Sequence, residues 1–181
     1  MTKHKLLPYK ANNYPYNFNA GIVVQCDSIE LTYHITGDTS KIITSKISDN
    51  PQRIIGLWER TCFEFFIRKN DPKEYMEFNF SPSLDWNCFE FRNNIDQLTQ
   101  WSFEGNFKIN FDKSSNQIEM KVIIPKSVLF EEFKDLNNLK YSLTAVLKSN
   151  DGKDEDLSYW AITHKDERPN FHHPDSFLEY N

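Results

Sequence analysis

Residues 57–91, LWERTCFEFFIRKNDPKEYMEFNFSPSLDWNCFEF, set carboxylate, amide and aromatic side chains in alternation and hold two of the four tryptophans. In an extended chain successive side chains point to opposite faces, so a period of two sorts the stretch into a core set and an outer set. In YMEFNFS (75–81) the core set is Met76, Phe78 and Phe80, with Glu77, Asn79 and Ser81 opposite. In 61–68 the core set is Phe63, Phe65 and Ile67, which puts Glu64 and Phe66 on the other face. In 86–92 the same reading turns Phe89 and Phe91 inward and leaves Trp86, Glu90 and Arg92 outside.

Working outward, short strand-like runs recur between turn residues, the pattern of a sandwich or barrel. GIVVQC and IELTYHIT flank Asp27-Ser28 as a hairpin, and ERTCFEFFI runs into the Asn-Asp-Pro turn at 70–72. WSFEGNFKINF, IEMKVIIP, LKYSLTAVLKS and LSYWAITH continue the set, while KSVLFEEFKDL alone has a helical pattern. Met120, Val122 and Ile124 form a core set against Glu119 and Lys121, and Leu143, Ala145 and Leu147 one against Thr144 and Lys148. Tyr159 and Ala161 oppose Trp160 and His164. The expected fold is all-β, an antiparallel β-sandwich of jelly-roll or immunoglobulin-like type with one short helix. One domain spans 1–181, with 1–18 as an extended N-terminal segment.

With 181 residues and 15 phenylalanines the chain can build a core without staples. A net charge of -5, with Lys and Arg scattered among acids, speaks against a nucleic-acid partner, which needs a basic stripe to displace counterions. No run approaches the roughly 20 apolar residues of a membrane span, and the amino end lacks an apolar core for a signal peptide. No membrane partner is expected, and a cytoplasmic location is. Cys26, Cys62 and Cys88 are odd in number and unrelated in spacing, as expected of small strand-filling residues.

The motifs GLWERTCFEFF, YMEFNFSPSLDWN, LTAVLKSNDG, SYWAITH and PNFHHPDSF occur in order from about residue 20 onward. In them the chain resembles DOMON-like ligand-binding domains, nearest the small bacterial subgroup related to carbohydrate-binding module family 9. The resemblance implies a β-sandwich with a concave sheet, a non-catalytic role, and haem or sugar as the ligand class. Its motif positions fall on Trp58, Glu59, Glu64, Glu77, Asn79, Ser81, Trp86, Trp160, His172, His173 and Asp175. Two features depart from it: a signal sequence is missing, and no Met/His pair is placed for haem. No cofactor is expected.

From the residues themselves, outer faces mixing tryptophan with hydrogen-bonding groups suit a polar ligand with apolar C–H faces. The expected ligand is small and carbohydrate-like. Trp58, Trp86 and Trp160 would stack on it, and Glu64, Glu77, Asn79, Arg92 and His164 would hydrogen-bond it. Arg92 is the cation expected to hold Glu64 and Glu77 together, because a guanidinium can fork two carboxylates. Two readings from other classes stay open. One is a metal-assisted or carboxylate-pair hydrolase of glycosidase type, although no catalytic signature is present and no catalytic residue is assigned. His164, His172, His173 and Asp175 are its candidate metal ligands, without a finger or H-x-x-x-H spacing. The other is a protein-interaction module. The tail around His172 is expected to close over one rim of the sandwich, and the oligomeric state is not readable.

Overall fold

The computed structural model describes residues 1–10, 14–69, 73–92, 98–135, 138–150 and 155–180, the last segment without the side chain of Glu155. The expected turn at 70–72 lies outside the described residues. The strands are β1 (Thr2–Lys5), β2 (Leu7–Pro8), β3 (Tyr16–Val24), β4 (Ser28–Gly37), β5 (Ile42–Ile43), β6 (Cys62–Arg68) and β7 (Tyr75–Phe80). They continue as β8 (Trp86–Phe91), β9 (Thr99–Gln100), β10 (Lys108–Lys113), β11 (Gln117–Pro125), β12 (Lys140–Asn150), β13 (Glu155–Ala161) and β14 (Leu178–Glu179). Among the described residues they form two sheets, and every pair of strands in them runs antiparallel. One sheet has the order β1-β3-β4-β11-β10; the other runs β2-β13-β12-β6-β7-β8-β9, with β5 and β14 also on β12. The protein is an all-β sandwich.

Alternation explains the core. Ile29, Leu31, Tyr33 and Ile35 of β4 and Ile118, Met120, Val122 and Ile124 of β11 bury one face of the five-stranded sheet. They pack against Phe63, Phe65, Ile67, Met76, Phe78, Phe80, Leu143, Ala145 and Leu147 of the larger sheet in one cluster. Tyr33 crosses the interior and donates its hydroxyl to the Glu64 carbonyl at 2.6 Å, tying the sheets together without leaving a buried O–H unpaired. The expected β3–β4 hairpin forms, but its turn is Cys26-Asp27, one residue earlier than read, because Ser28 already belongs to β4 and its carbonyl accepts from the Gln25 N–H. The N-terminal segment is extended, and β1 joins the small sheet while β2 joins β13 of the large one.

The helical pattern at 126–136 is realised only as a 3-10 turn, Lys126–Val128, and a single α-turn α1, Glu131–Lys134. Leu129 and Phe130 are extended between them, and both are buried, so core packing overrides local propensity there. The run at 101–111 is a strand only from Lys108, and Gly105 sits at φ 116 just before it.

The face assignment of β8 is reversed relative to the sequence reading. Phe78 pairs with Cys88 and Phe80 with Trp86, which turns Trp86, Cys88 and Glu90 toward the core side. Phe89 and Phe91 point outward, into a second apolar cluster with Phe66, Tyr75, Val146, Ala161, Phe171 and Phe177. The cause is plain: β8 carries large apolar residues at both parities, so alternation alone does not say which face meets the core.

Candidate functional site

The outer face of the large sheet is roofed on one side by the tail, residues 164–177, and beside this roof lies a cleft of about 770 Å³. That volume falls within the usual range of small-molecule sites. Its floor is sheet: Glu64 from β6, Tyr75 and Glu77 from β7, Phe91 from β8, Val146 from β12, and Leu157 and Tyr159 from β13. Trp58 and Glu59 form one wall and Arg168 to His172 the other, with Leu98 also on the lining.

Local chemistry sets each wall. Gly56 adopts φ 82, a left-handed conformation that glycine tolerates without strain, and it starts the 3-10 turn Leu57–Glu59. Leu57 is buried, and Trp58 leans edge-to-face on Phe89 with ring centroids 5.8 Å apart. On the tail, Arg68 donates to the Pro174 carbonyl at 2.8 Å and lays its guanidinium over the Phe177 ring. Phe66 meets His172 and Phe177 edge-on. His173 caps the short turn Pro174–Ser176 by accepting from the Asp175 N–H, and Tyr9 donates to the Glu167 carbonyl. Asn170 accepts from the His172 N–H and donates to Asp166.

At the floor sit two buried acids. Glu64 is 3% exposed and Glu77 5%. In the strand register Glu64 faces Asn79 and Glu77 faces Phe66, so the two acids are diagonal neighbours, a spacing long side chains can bridge. Thr144 donates to Glu64 Oε2 at 3.1 Å, and Asn79 donates to Glu77 Oε1 at 2.8 Å. Asn79 itself is fully buried and accepts from the Cys62 thiol, which makes it a support for Glu77 and not a lining group. His172 Nδ1 shares a 2.9 Å hydrogen bond with the Tyr75 hydroxyl, and its Nε2 lies 3.9 Å from Glu77 Oε2.

Burial disfavours the charged forms. It pushes Glu77 up to about 7, against the donation from Asn79, and raises Glu64 well above the usual carboxylate range, with the charge of Glu77 adding to the effect. The Cys62 thiol is raised too, by burial first and then by both acids. At neutral pH the pair therefore keeps protons, and its oxygens can donate as well as accept.

Four other candidates lie elsewhere. Trp160 is 3% exposed on the core side, opposite Ala145, packed on Phe18 and donating to Ser158; its neighbour Tyr159 faces the cleft instead. Trp86 packs on Phe103 and Phe107 under the Arg53 guanidinium. Arg92 pairs with Glu132 at 3.1 Å and Glu90 at 3.7 Å and covers Phe130, so it does not bridge Glu64 and Glu77. His164 bonds the Leu7 carbonyl and meets Tyr9 edge-on, off the cleft lining. The sequence reading missed Tyr75, Phe91, Tyr159, Asn170 and Phe171. The apolar residues at both parities in β6, as Phe65-Phe66, and in β8 signalled that the outer face is covered.

Among the described residues no three His, Cys, Asp or Glu side chains gather to hold a metal, so His164, His172, His173 and Asp175 do not form a shared site. Met76 and Met120 are wholly buried in the sandwich core and do not line the cleft. No helix among the described residues is long and apolar enough to cross a membrane.

No family model matches the chain, and no curated protein matches it in sequence. In three dimensions it is similar to a protein from Bacteroides uniformis ATCC 8492 provisionally described as carbohydrate-binding. The TM-score is 0.63 at 18% identity, over 97% of this chain and 84% of the other. A family 9 carbohydrate-binding module from Caldicellulosiruptor kristjanssonii, solved with glucose, aligns at TM-score 0.48 and 6% identity, over 86% of this chain and 70% of the other. At such identities the likeness to the first protein is one of fold: this chain shares its β-sandwich.

Proposed function

We propose that the chain is a non-catalytic module, of the DOMON-like and carbohydrate-binding-module type, that binds a small carbohydrate-like ligand in the cleft on its outer sheet face. One observation carries this reading: two buried carboxyl groups lie in the floor of a cleft that the rings of Trp58, Tyr159, Phe91 and Phe171 also line. Rings take up the C–H faces of a sugar, and fixed polar groups below them take up its hydroxyls. Trp58, Glu64 and Glu77 keep their expected roles, Tyr159 replaces Trp160 as a stacking surface, and Asn170 and His172 add hydrogen bonds from the roof. The provisional description of the Bacteroides uniformis protein is consistent with a sugar ligand.

The test is calorimetric titration of the full chain with a panel of mono- and disaccharides. At least one should bind, and Trp58→Ala should weaken it about tenfold or more while circular dichroism stays unchanged. A flat response across the panel would overturn the reading. The acid pair also favours one competing assignment, a carboxylate-pair hydrolase. Phenol release from aryl glycosides that Glu77→Gln abolishes would replace the module by an enzyme.

A further inference from the structure

We infer that the ligand of this cleft carries a positively charged nitrogen, as an amino sugar does, and that the ammonium group sits between Glu64 and Glu77. The inference rests on the reading of the cleft as a sugar site and narrows the ligand class.

Geometry comes first. Both acids are more than nine-tenths buried, yet both line the cleft. Each uses one oxygen for a neighbour: Glu64 Oε2 accepts from Thr144 and Glu77 Oε1 from Asn79. Among the described residues, Glu64 Oε1 and Glu77 Oε2 accept no hydrogen bond. Among the described residues no Lys or Arg nitrogen lies within ion-pair distance of either acid; Arg92 is committed to Glu132 and Glu90, and the basic group beside the pair is the His172 imidazole, 3.9 Å from Glu77 Oε2. Each carboxyl thus keeps one oxygen turned to the cleft and open to a donor that belongs to the ligand. An ammonium supplies several donors and a charge at once.

The surroundings agree. The rings of Trp58, Tyr75, Phe91 and Tyr159 line the same cleft as the acids, and aromatic faces attract a cation through the ring quadrupole. A third carboxylate, Glu59, lies on the lining, against the single guanidinium of Arg168 on the exposed tail. The remaining titratable neighbours do not neutralise the pair. Burial lowers His172, holding it uncharged at neutral pH, and raises Tyr75 and the Cys62 thiol, so both keep their protons. With Glu77 pushed up to about 7, a bound cation would expel a proton that the empty pair retains.

Calorimetry of the full chain with D-glucosamine, N-acetyl-D-glucosamine and D-glucose tests this. Glucosamine should bind about tenfold tighter than either neutral sugar, the worth of one charge-assisted bond. Its affinity should rise from about pH 5.5 to about 7, where the amine stays charged while Glu77 ionises. Proton release should make the observed heat depend on the buffer's ionisation enthalpy. Glu64→Gln and Glu77→Gln should each cut the preference to about twofold or less with secondary structure intact. Retention of the pH dependence in Glu77→Gln would overturn the inference, since His172 and not the acids would then be titrating. Glucosamine binding no tighter than the neutral sugars would also overturn it and leave the cleft a neutral-sugar site. No binding of any of the three would overturn the inference and count against the proposed function itself. Calcium-dependent binding of glucose would overturn the inference in favour of a metal at the same oxygens.

Discussion

The two sheets use the same strand grammar and end in opposite states. In β4 of the five-stranded sheet burial alternates strictly: every second residue from Ile29 to Ile35 is in the core, while Glu30, Thr32 and His34 reach outward. In the larger sheet β6 and β7 are buried at every position. The outer face of the small sheet meets solvent, so its acids stay hydrated and Glu119 simply pairs with Lys121 at 2.7 Å. The outer face of the large sheet is roofed by the tail, and there Glu64 and Glu77 lose their water. A covered face is what turns ordinary strand carboxyls into chemical groups with shifted protonation, which is the usual mark of a working site.

The comparison breaks most sharply at the shared core. Phe78 is wholly buried between Phe65, Phe80 and Phe107. Phe78→Ala should lose about 3–5 kcal/mol in urea unfolding, because the rigid sandwich cannot collapse onto the void. A loss below about 1 kcal/mol, the level of a surface change, would mean that the two sheets do not share this core.

A smaller effect separates the two outer faces. Phe66 lies outside the main core, yet it is fully buried and clasps His172 and Phe177. Phe66→Ala should cost about 2–4 kcal/mol and raise amide exchange in the tail ahead of the sandwich. Thr32→Ala, on the solvated face of the small sheet, should stay within about 0.5 kcal/mol. Equal costs for the two would erase the distinction between roofed and open faces.

How far the sequence carried the fold follows from this asymmetry. Where one face is solvated, or one parity is clearly apolar, alternation found the core: Met76, Phe78 and Phe80 in β7, and Met120, Val122 and Ile124 in β11, are all buried as expected. It placed Glu64 and Glu77 on one face, and the pairing of β6 with β7 keeps them together. It failed where both parities are apolar. Phe89 and Phe91 look like core and do belong to an apolar cluster, but the second one. Trp160 looked like a ligand surface because periodicity yields two sets without naming the inner one; only the pairing of Ala145 with Trp160 decides it. Arg92 was chosen for its forked guanidinium and its parity with the outer set of 86–92, whereas the reversed face of β8 leaves it paired with Glu132 of α1. The tail has no periodicity at all, and its place depends on contacts such as Arg68 to Pro174, more than a hundred residues apart, which no local pattern encodes.

The smallest effect is the most diagnostic, because it reads the roofed acids directly. Folding raises Glu77 from the ordinary 4.5 to about 7, so between those pH values the native state holds a proton that the unfolded chain has lost. Stability must then fall as pH rises through that window, since the state binding more protons is favoured by acid. The contribution is fully present below about 4.5 and gone above about 7. Glu64, raised by the same burial and by its neighbour, pushes the same way and extends the decline upward. His172, lowered by burial, opposes it, losing stability as pH falls below its ordinary 6.5. Glu77→Gln removes the first titration while keeping an acceptor and nearly the same shape. It should flatten the fall in Tm between about pH 5 and 7 and raise Tm at pH 8 by a few degrees relative to the parent. Glu30→Gln, the matching change on the open sheet, should leave the whole profile unshifted. If the parent's Tm rises steadily from pH 5 to 7, or if Glu30→Gln and Glu77→Gln change it alike, the acids are hydrated in solution and the face is not roofed as described.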